Sequence, residues 1–190
     1  VVDASQSVGC VPLDVEAVGV DAVVATAYKW LCGPFGSAFF YLKPELLERI
    51  EPILVGWRCS DHMWEWDATD LGYAPNMRRF EYSTLSYSAA FGFGQALDYL
   101  LRIPAEQIYS HDVALADRLI AHLDELGVEV LTPRQGPCRS GIVTARFSGR
   151  DGEGVAAELN RRGVIVSPRF GATRFSMHFY NSSDEVDTAV

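Results

Sequence analysis

The stretch Ala25–Leu42, ATAYKWLCGPFGSAFFYL, decides how the rest of the chain is read. Both of its flanks look like strands. Residues 20–27 (VDAVVATA) are apolar and β-branched, and residues 37–42 (SAFFYL) resume the same character after a Gly-Pro-Phe-Gly turn. Between them stands one charge, Lys29, with Tyr28 before it and Trp30 after it. A lysine beside a buried strand is costly unless it is paired or engaged. Two readings fit: a stem that snorkels to solvent, or a nucleophilic amine that holds a carbonyl group as a Schiff base. The second requires partners elsewhere in the chain.

Working outward, Val1-Val2 reads as a buried strand that ends in the polar loop Asp3-Ala4-Ser5-Gln6-Ser7. A short helix within PLDVEAVG, closed by Gly19, then leads into the strand before Lys29. Strand, crossover and strand in that order predict parallel neighbours. Asp3 and Lys29 then fall at the carboxyl ends of adjacent strands, the edge where open α/β sheets bind ligands. Farther on, KPELLERI predicts a helix begun at Pro44, and residues 55–81 a long loop with Trp57, Trp64 and Trp66 available for packing or for a substrate mouth. Residues 86–101 and 105–127 read as helices, the second amphipathic and ended by Gly127. The remainder alternates VEVLTP, GIVTARF, the helix GVAAELNRRG, VIVSP and TRFSMHFYN, a small α+β domain. Pro104 marks a boundary, giving domains 1–102 and 103–190.

The chain has 190 residues, 48% hydrophobic and 22% charged, with a formal net charge of −9. That is ordinary globular composition, and its acidity argues against non-specific nucleic-acid binding. No apolar run reaches the length of a membrane span. Cys10, Cys32, Cys59 and Cys138 show no metal-ligand spacing and read as reduced, cytoplasmic thiols, so no metal is expected. The chain opens within a strand and closes within a helical pattern, which suggests a piece of a longer protein.

Three segments together carry a family resemblance. Residues 3–9 (DASQSVG) followed by T-x-Y-K-W-L-x-G-P-x-G at 26–36 are similar to the cofactor segment of fold-type I pyridoxal-phosphate enzymes, in the class V aminotransferase and cysteine desulfurase group. The fold implied is α/β, the C-terminal part of the large cofactor domain plus the small C-terminal α+β domain. The resemblance implies pyridoxal 5'-phosphate held as an internal aldimine by Lys29. Asp3 keeps the pyridine nitrogen protonated, as an electron sink needs, and Gln6 meets the ring oxygen. Thr26 and Tyr28 face the phosphate, Tyr28 standing where relatives usually carry histidine. Read alone, Asp3 is a turn-forming acid and Gln6 a surface loop residue.

The second segment, RRFEYSTLSYS at 78–88, resembles the family's Phe-Glu-x-Gly-Thr motif, with Ser83 in place of the glycine. Thr84 would then reach the phosphate of a neighbouring subunit, implying a homodimer with a shared active site. Without the resemblance, Ser83 or Thr84 is a plain helix N-cap. The third segment, TRFSMHFYNSSDEVD at 173–187, makes Arg174 the bidentate anchor of a substrate α-carboxylate, where the alternative is an exposed strand cation. Ser182 or Ser183 caps a last helix. His178 is a weaker candidate in the same strand, while His111 and His122 read as surface residues of the long helix.

Cysteine desulfurases of this group carry a nucleophilic cysteine just before the anchoring arginine. The corresponding residues 164–174 (VIVSPRFGATR) contain none, and Cys138 lies well upstream. The expectation is therefore an enzyme acting on an amino acid, a small-molecule substrate, by transamination, epimerisation or C–S lysis. A cysteine desulfurase or selenocysteine lyase, and a non-catalytic fragment of such an enzyme, are the alternatives. The resemblance puts the phosphate loop and the ring-stacking aromatic upstream of Val1.

Overall fold

A computed structural model describes residues 1–65, 67, 69 and 72–190. They form two compact units. The first comprises residues 1–6 and 13–99, the second residues 7–12 and 100–190. The expected boundary after residue 102 compares with a division between Tyr99 and Leu100, and the loop 7–12 is grouped with the second unit.

In the first unit β1 (Val2–Asp3) runs parallel to β2 (Ala22–Thr26), with Val2 opposite Val23. The crossover holds α1 (Val15–Val18), whose N-cap Asp14 accepts from the amides of Glu16 and Ala17. Gly19 ends it at φ 70°, a left-handed conformation that suits glycine. β3 (Ala38–Leu42) returns antiparallel to β2, giving the order β1-β2-β3. Val23, Ala25, Ala27, Trp30 and Leu42 are buried on and beside these strands. β1 departs from expectation, because both of its residues are exposed. It has a strand neighbour on one side alone among the described residues.

KPELLERI forms a 3-10 turn at Pro44–Leu46 in place of a full helix. The following residues continue as turns, the Ile50 amide donating to the Leu46 carbonyl at 3.1 Å, up to Pro52, which disfavours helical backbone at Glu51. The long loop is tied by a bridge between Ser60 and Tyr73 and by an Arg58–Glu81 ion pair of 2.6 Å. Trp57 and Trp64 pack on each other at 5.6 Å, and Trp66 lies outside the described residues. α2 (Tyr87–Leu100) starts later than expected. Ser86 supplies the first helical carbonyl, to the Ala90 amide, so neither Ser83 nor Thr84 is the N-cap.

In the second unit α3 (Ala105–Glu125) buries Ile108, Asp112, Leu115, Ala116, Leu119, Ile120 and Leu123, one stripe at helical spacing. The stripe packs on a four-stranded antiparallel sheet of order β4-β5-β7-β6: β4 (Glu129–Val130), β5 (Ile142–Arg146), β6 (Ser167–Arg169) and β7 (Ala172–Ser176). Val143, Ala145 and Phe175 form its inner face. Burying each larger side chain contributes about 1.5–3 kcal/mol before entropy is counted. α4 (Gly152–Arg161) packs on the same core through Ala156. Gly152 must be glycine, since a Cβ there would lie 2.3 Å from the Ala172 carbonyl oxygen.

The strand expected at VIVSP begins only at Ser167. Val164 is held by the helix end, its amide donating to the Leu159 carbonyl. Asn160 then occupies Val166, accepting from its amide at 2.8 Å and donating to its carbonyl at 3.3 Å. A residue satisfied from both sides by one side chain has nothing left for a ladder. α5 (Ser183–Thr188) closes the chain, with Ser182 and Glu185 forming a capping box.

Candidate functional site

Lys29 stands in a turn that the backbone closes tightly. The Cys32 amide donates to the Lys29 carbonyl (3.1 Å) and the Gly33 amide to the Ala27 carbonyl (2.8 Å). Gly33 is demanded by space: a Cβ there would lie 2.8 Å from the Ala27 Cβ and 2.9 Å from the Phe93 ring on α2. This explains the glycine of the Gly-Pro-x-Gly turn better than flexibility does. Lys29 is half-buried, its Nζ 5.9 Å from the centre of the Tyr28 ring. Tyr28 in turn stacks on Phe35 at 4.7 Å, so an aromatic pair walls one side of the amine.

Asp3, Ser5 and Thr26 form a relay across the paired strands. The Ser5 amide donates to the Asp3 carboxylate at 3.0 Å, and the Thr26 amide donates to the Ser5 hydroxyl oxygen at 3.1 Å. Hydrogen bonds from the Ser5 hydroxyl and amide hold the Asp3 carboxyl below its usual range, with a smaller contribution from the charge of Lys29. Asp3 is thus an ionised acid within electrostatic reach of the amine. Ser5 carries no family expectation, yet it joins Asp3 to Thr26. Its signal in the sequence is Asp-x-Ser directly after a strand, a pattern for a local side-chain-to-backbone turn.

Gln6 has its side-chain oxygen engaged, accepting from the Trp30 indole nitrogen at 3.3 Å. Trp30 is buried and braces the turn from below. Thr26 matters most for a ligand: its hydroxyl oxygen is buried and has no hydrogen-bond partner. A buried hydroxyl left unsatisfied costs about 1–3 kcal/mol, which an anion or polar ligand recovers. An amine, an ionised acid and an unsatisfied hydroxyl on one sheet edge fit pyridoxal 5'-phosphate. Asp3, Gln6, Thr26, Tyr28 and Lys29 are therefore brought together. Thr84 lies in the same unit, exposed, three residues before α2, with no hydrogen bond among the described residues.

Arg174 belongs to the second unit, on β7 between Thr144 of β5 and Ser167 of β6. Its Nε is buried without a partner, and among the described residues it pairs with no carboxylate. Burial first, then repulsion from Arg169, pulls its pKa down. An unpaired guanidinium of this kind suits a carboxylate ligand. His178 is buried and stacks on Tyr180 at 4.3 Å, while its Nδ1 accepts from the Phe179 amide. That is a packing role. Cys138 is exposed, whereas Cys10 and Cys59 are buried. The described residues include no cluster of three or more side chains suited to a metal, and no helix long and apolar enough to cross a membrane.

The family model described as aminotransferase class-V matches residues 1–188. An uncharacterised aminotransferase of Bacillus subtilis, YcbU, is 32% identical over 189 residues, which is all of this chain and 49% of the relative. A probable cysteine desulfurase of Streptomyces coelicolor is 30% identical across the whole chain and 48% of its own length. Among solved structures, an apo cysteine desulfurase from Thermococcus onnurineus superposes with a TM-score of 0.88 at 27% identity, over 98% of this chain and 49% of that one. The cystine C–S lyase C-DES, solved with its product cysteine persulfide, superposes with a TM-score of 0.85 at 26% identity, over 96% of this chain and 48% of that one. The chain thus spans about half the length of the relatives it matches.

Proposed function

The chain belongs to the class-V aminotransferase family, and from that premise we propose that it carries the lysine half of the site of a pyridoxal-phosphate-dependent enzyme acting on an amino acid. The observation that carries the reading is the unsatisfied Thr26 hydroxyl on the strand that delivers Lys29, joined through Ser5 to an ionised Asp3. Pyridoxal 5'-phosphate, when bound, supplies an electron sink for bonds at the substrate α-carbon. Lys29 would hold the cofactor aldehyde through Nζ and would serve as the base for the substrate α-proton. Asp3 offers an anion that keeps a pyridine nitrogen protonated, and its bonds from Ser5 hold it ionised for that task. Thr26 offers its hydroxyl to the phosphate, and Tyr28 walls the amine in place of the family's histidine. Gln6 accepts from the Trp30 indole through its side-chain oxygen, and the family resemblance gives it the cofactor's ring oxygen as a partner. Arg174 takes the substrate carboxylate, in a fork that lysine does not reproduce.

Transamination, epimerisation and C–S lysis all begin with these steps. C–S lysis draws support from the likeness to C-DES. A desulfurase needs a thiol near the carboxylate anchor, and residues 164–174 hold none. Thr84 reaching a second subunit's cofactor, and hence a homodimer, belongs to the same proposal, as does a cytoplasmic setting for the free thiols.

Borohydride reduction after incubation with pyridoxal 5'-phosphate tests it, with peptide mapping as the readout. A single reduced adduct on Lys29, lost in Lys29→Ala, is the expected result. Scattered labelling, or equal labelling of the variant, would remove Lys29 from the role and favour a non-catalytic fragment.

A further inference from the structure

The β6–β7 hairpin places a second arginine beside the carboxylate anchor. Its register pairs Ser167 with Arg174, Pro168 with Thr173 and Arg169 with Ala172. Side chains alternate along strands, so residues 167 and 169 share the face of residues 172 and 174. Arg169 and Arg174 are therefore diagonal cross-strand neighbours on one face, within mutual reach of long side chains. That face lies opposite the one bearing Val143, Ala145 and Phe175 in the core.

Like charges on diagonal positions of a two-stranded turn are unfavourable unless something neutral or anionic comes between them. Nothing in the second unit does so. Glu129, on β4 at the far side of the sheet, is taken by Arg146 at 3.0 Å. Among the described residues neither Arg169 nor Arg174 forms an ion pair. Arg169 spends one NH on the carbonyl of its neighbour Pro168 (2.8 Å). The turn joining the strands, Phe170 and Gly171, has φ of 50° and 76°. Two positive φ values make the tight hairpin that fixes the diagonal, and Phe170 accepts backbone strain to do so. In a chain of net charge −9, two cations held together without an acid call for an anion from outside.

We propose that Arg169 is a specificity-determining residue: together with Arg174 it forms a two-guanidinium receptor that selects amino acids bearing a second anionic group on the side chain. This rests on Arg174 being the α-carboxylate anchor. Arg174 takes the group common to all substrates, and Arg169 rewards the extra charge. Because Arg169 is exposed, its effect is modest and screened by salt.

Two ligands that differ in a single charge isolate the effect without any cofactor. Succinate and propionate are titrated separately into the chain at low salt, with the arginine Nε–H signals followed by NMR. Succinate is expected to bind about threefold to tenfold more tightly than propionate, shifting the Arg174 Nε–H resonance. Arg169→Gln should weaken succinate more than propionate and so erase the difference, and Arg169→Lys should restore part of it. Arg174→Gln should weaken both ligands. Equal binding of the two ligands, or a preference that survives Arg169→Gln, overturns the inference. Indifference of both ligands to Arg174→Gln overturns it too. Loss of the pyridoxal-phosphate adduct at Lys29 is read in a separate assay, so failure of the functional reading is told apart from failure of this one.

Discussion

Asp112 occupies a position on α3 where every neighbour in the stripe is apolar. It is fully buried, and neither carboxylate oxygen has a hydrogen-bond partner among the described residues. Burial pushes its pKa up to about 6, with a small opposing effect from His111. The facing thiol of Cys10 is raised to about 12, by burial first and then by the charge of Asp112. Because the folded state holds this proton more tightly than the unfolded chain, stability falls as pH rises from about 4 to about 6 and stays lower above. The loss is about 3 kcal/mol at most. Asp112→Asn should flatten that slope and stabilise the protein at pH 7.5 but not at pH 4. Denaturant midpoints at the two pH values provide the check, and parallel curves for the two proteins would refute the assignment. The apolar period of α3 contained this anomaly, since Asp112 falls on the stripe of Ile108, Leu115 and Leu119. Thr26 was legible only as a family position, because a missing hydrogen bond is visible only once the fold surrounds the hydroxyl.

α5 is too short to stand by itself, and what holds it is charge as much as packing. Val186 reaches the core, while Asp187 accepts from Arg118 through two bonds (2.5 and 2.6 Å) and pairs with His122 at 3.0 Å. His111 reaches the Asn181 carbonyl at 2.9 Å. Histidines that read as surface positions on α3 are thus the clasps of the last helix, partners separated by some seventy residues and invisible to local pattern. Arg118 and His122 hold the Asp187 carboxyl down to about 2. The clasp is complete above the ordinary carboxylate range and is lost as pH falls toward about 2. Asp187→Asn should therefore speed amide exchange in residues 183–188 at pH 7 by several-fold while sparing α3. Unchanged exchange would assign the helix to Val186 and the capping box. Local signals did succeed elsewhere: Gly19, a serine cap at 182 or 183 and the parallel pairing of β1 with β2 were readable because capping and crossover rules act within a few residues.

For the whole molecule, the family was legible because three separated segments fell in the family's order, and each was weak alone. The proposed shared site makes a prediction at this scale. On that proposal, Lys29→Ala and Thr84→Asp damage different parts of one site, contributed by different subunits. Co-expressed in the full-length protein, they should regain about one quarter of native activity through mixed dimers holding one intact site. Activity no greater than that of the separate variants would place Thr84 outside the neighbouring site. Two features of the chain escaped sequence reading for one reason. The exposed face of β1 and the grouping of residues 7–12 with the second unit both depend on contacts far apart in sequence.

That grouping has a further consequence. The chain passes between the two units at residues 6–7, 12–13 and 99–100, so the second unit is not a continuous cassette. A gene segment beginning at Leu100 would leave behind the loop that brings Cys10 to the neighbourhood of Asp112. Recombination could not transplant this unit with a single crossover, and a ribosome releases its first piece long before its last. The early loop must wait, through the synthesis of nearly ninety intervening residues, for the surface it will cover.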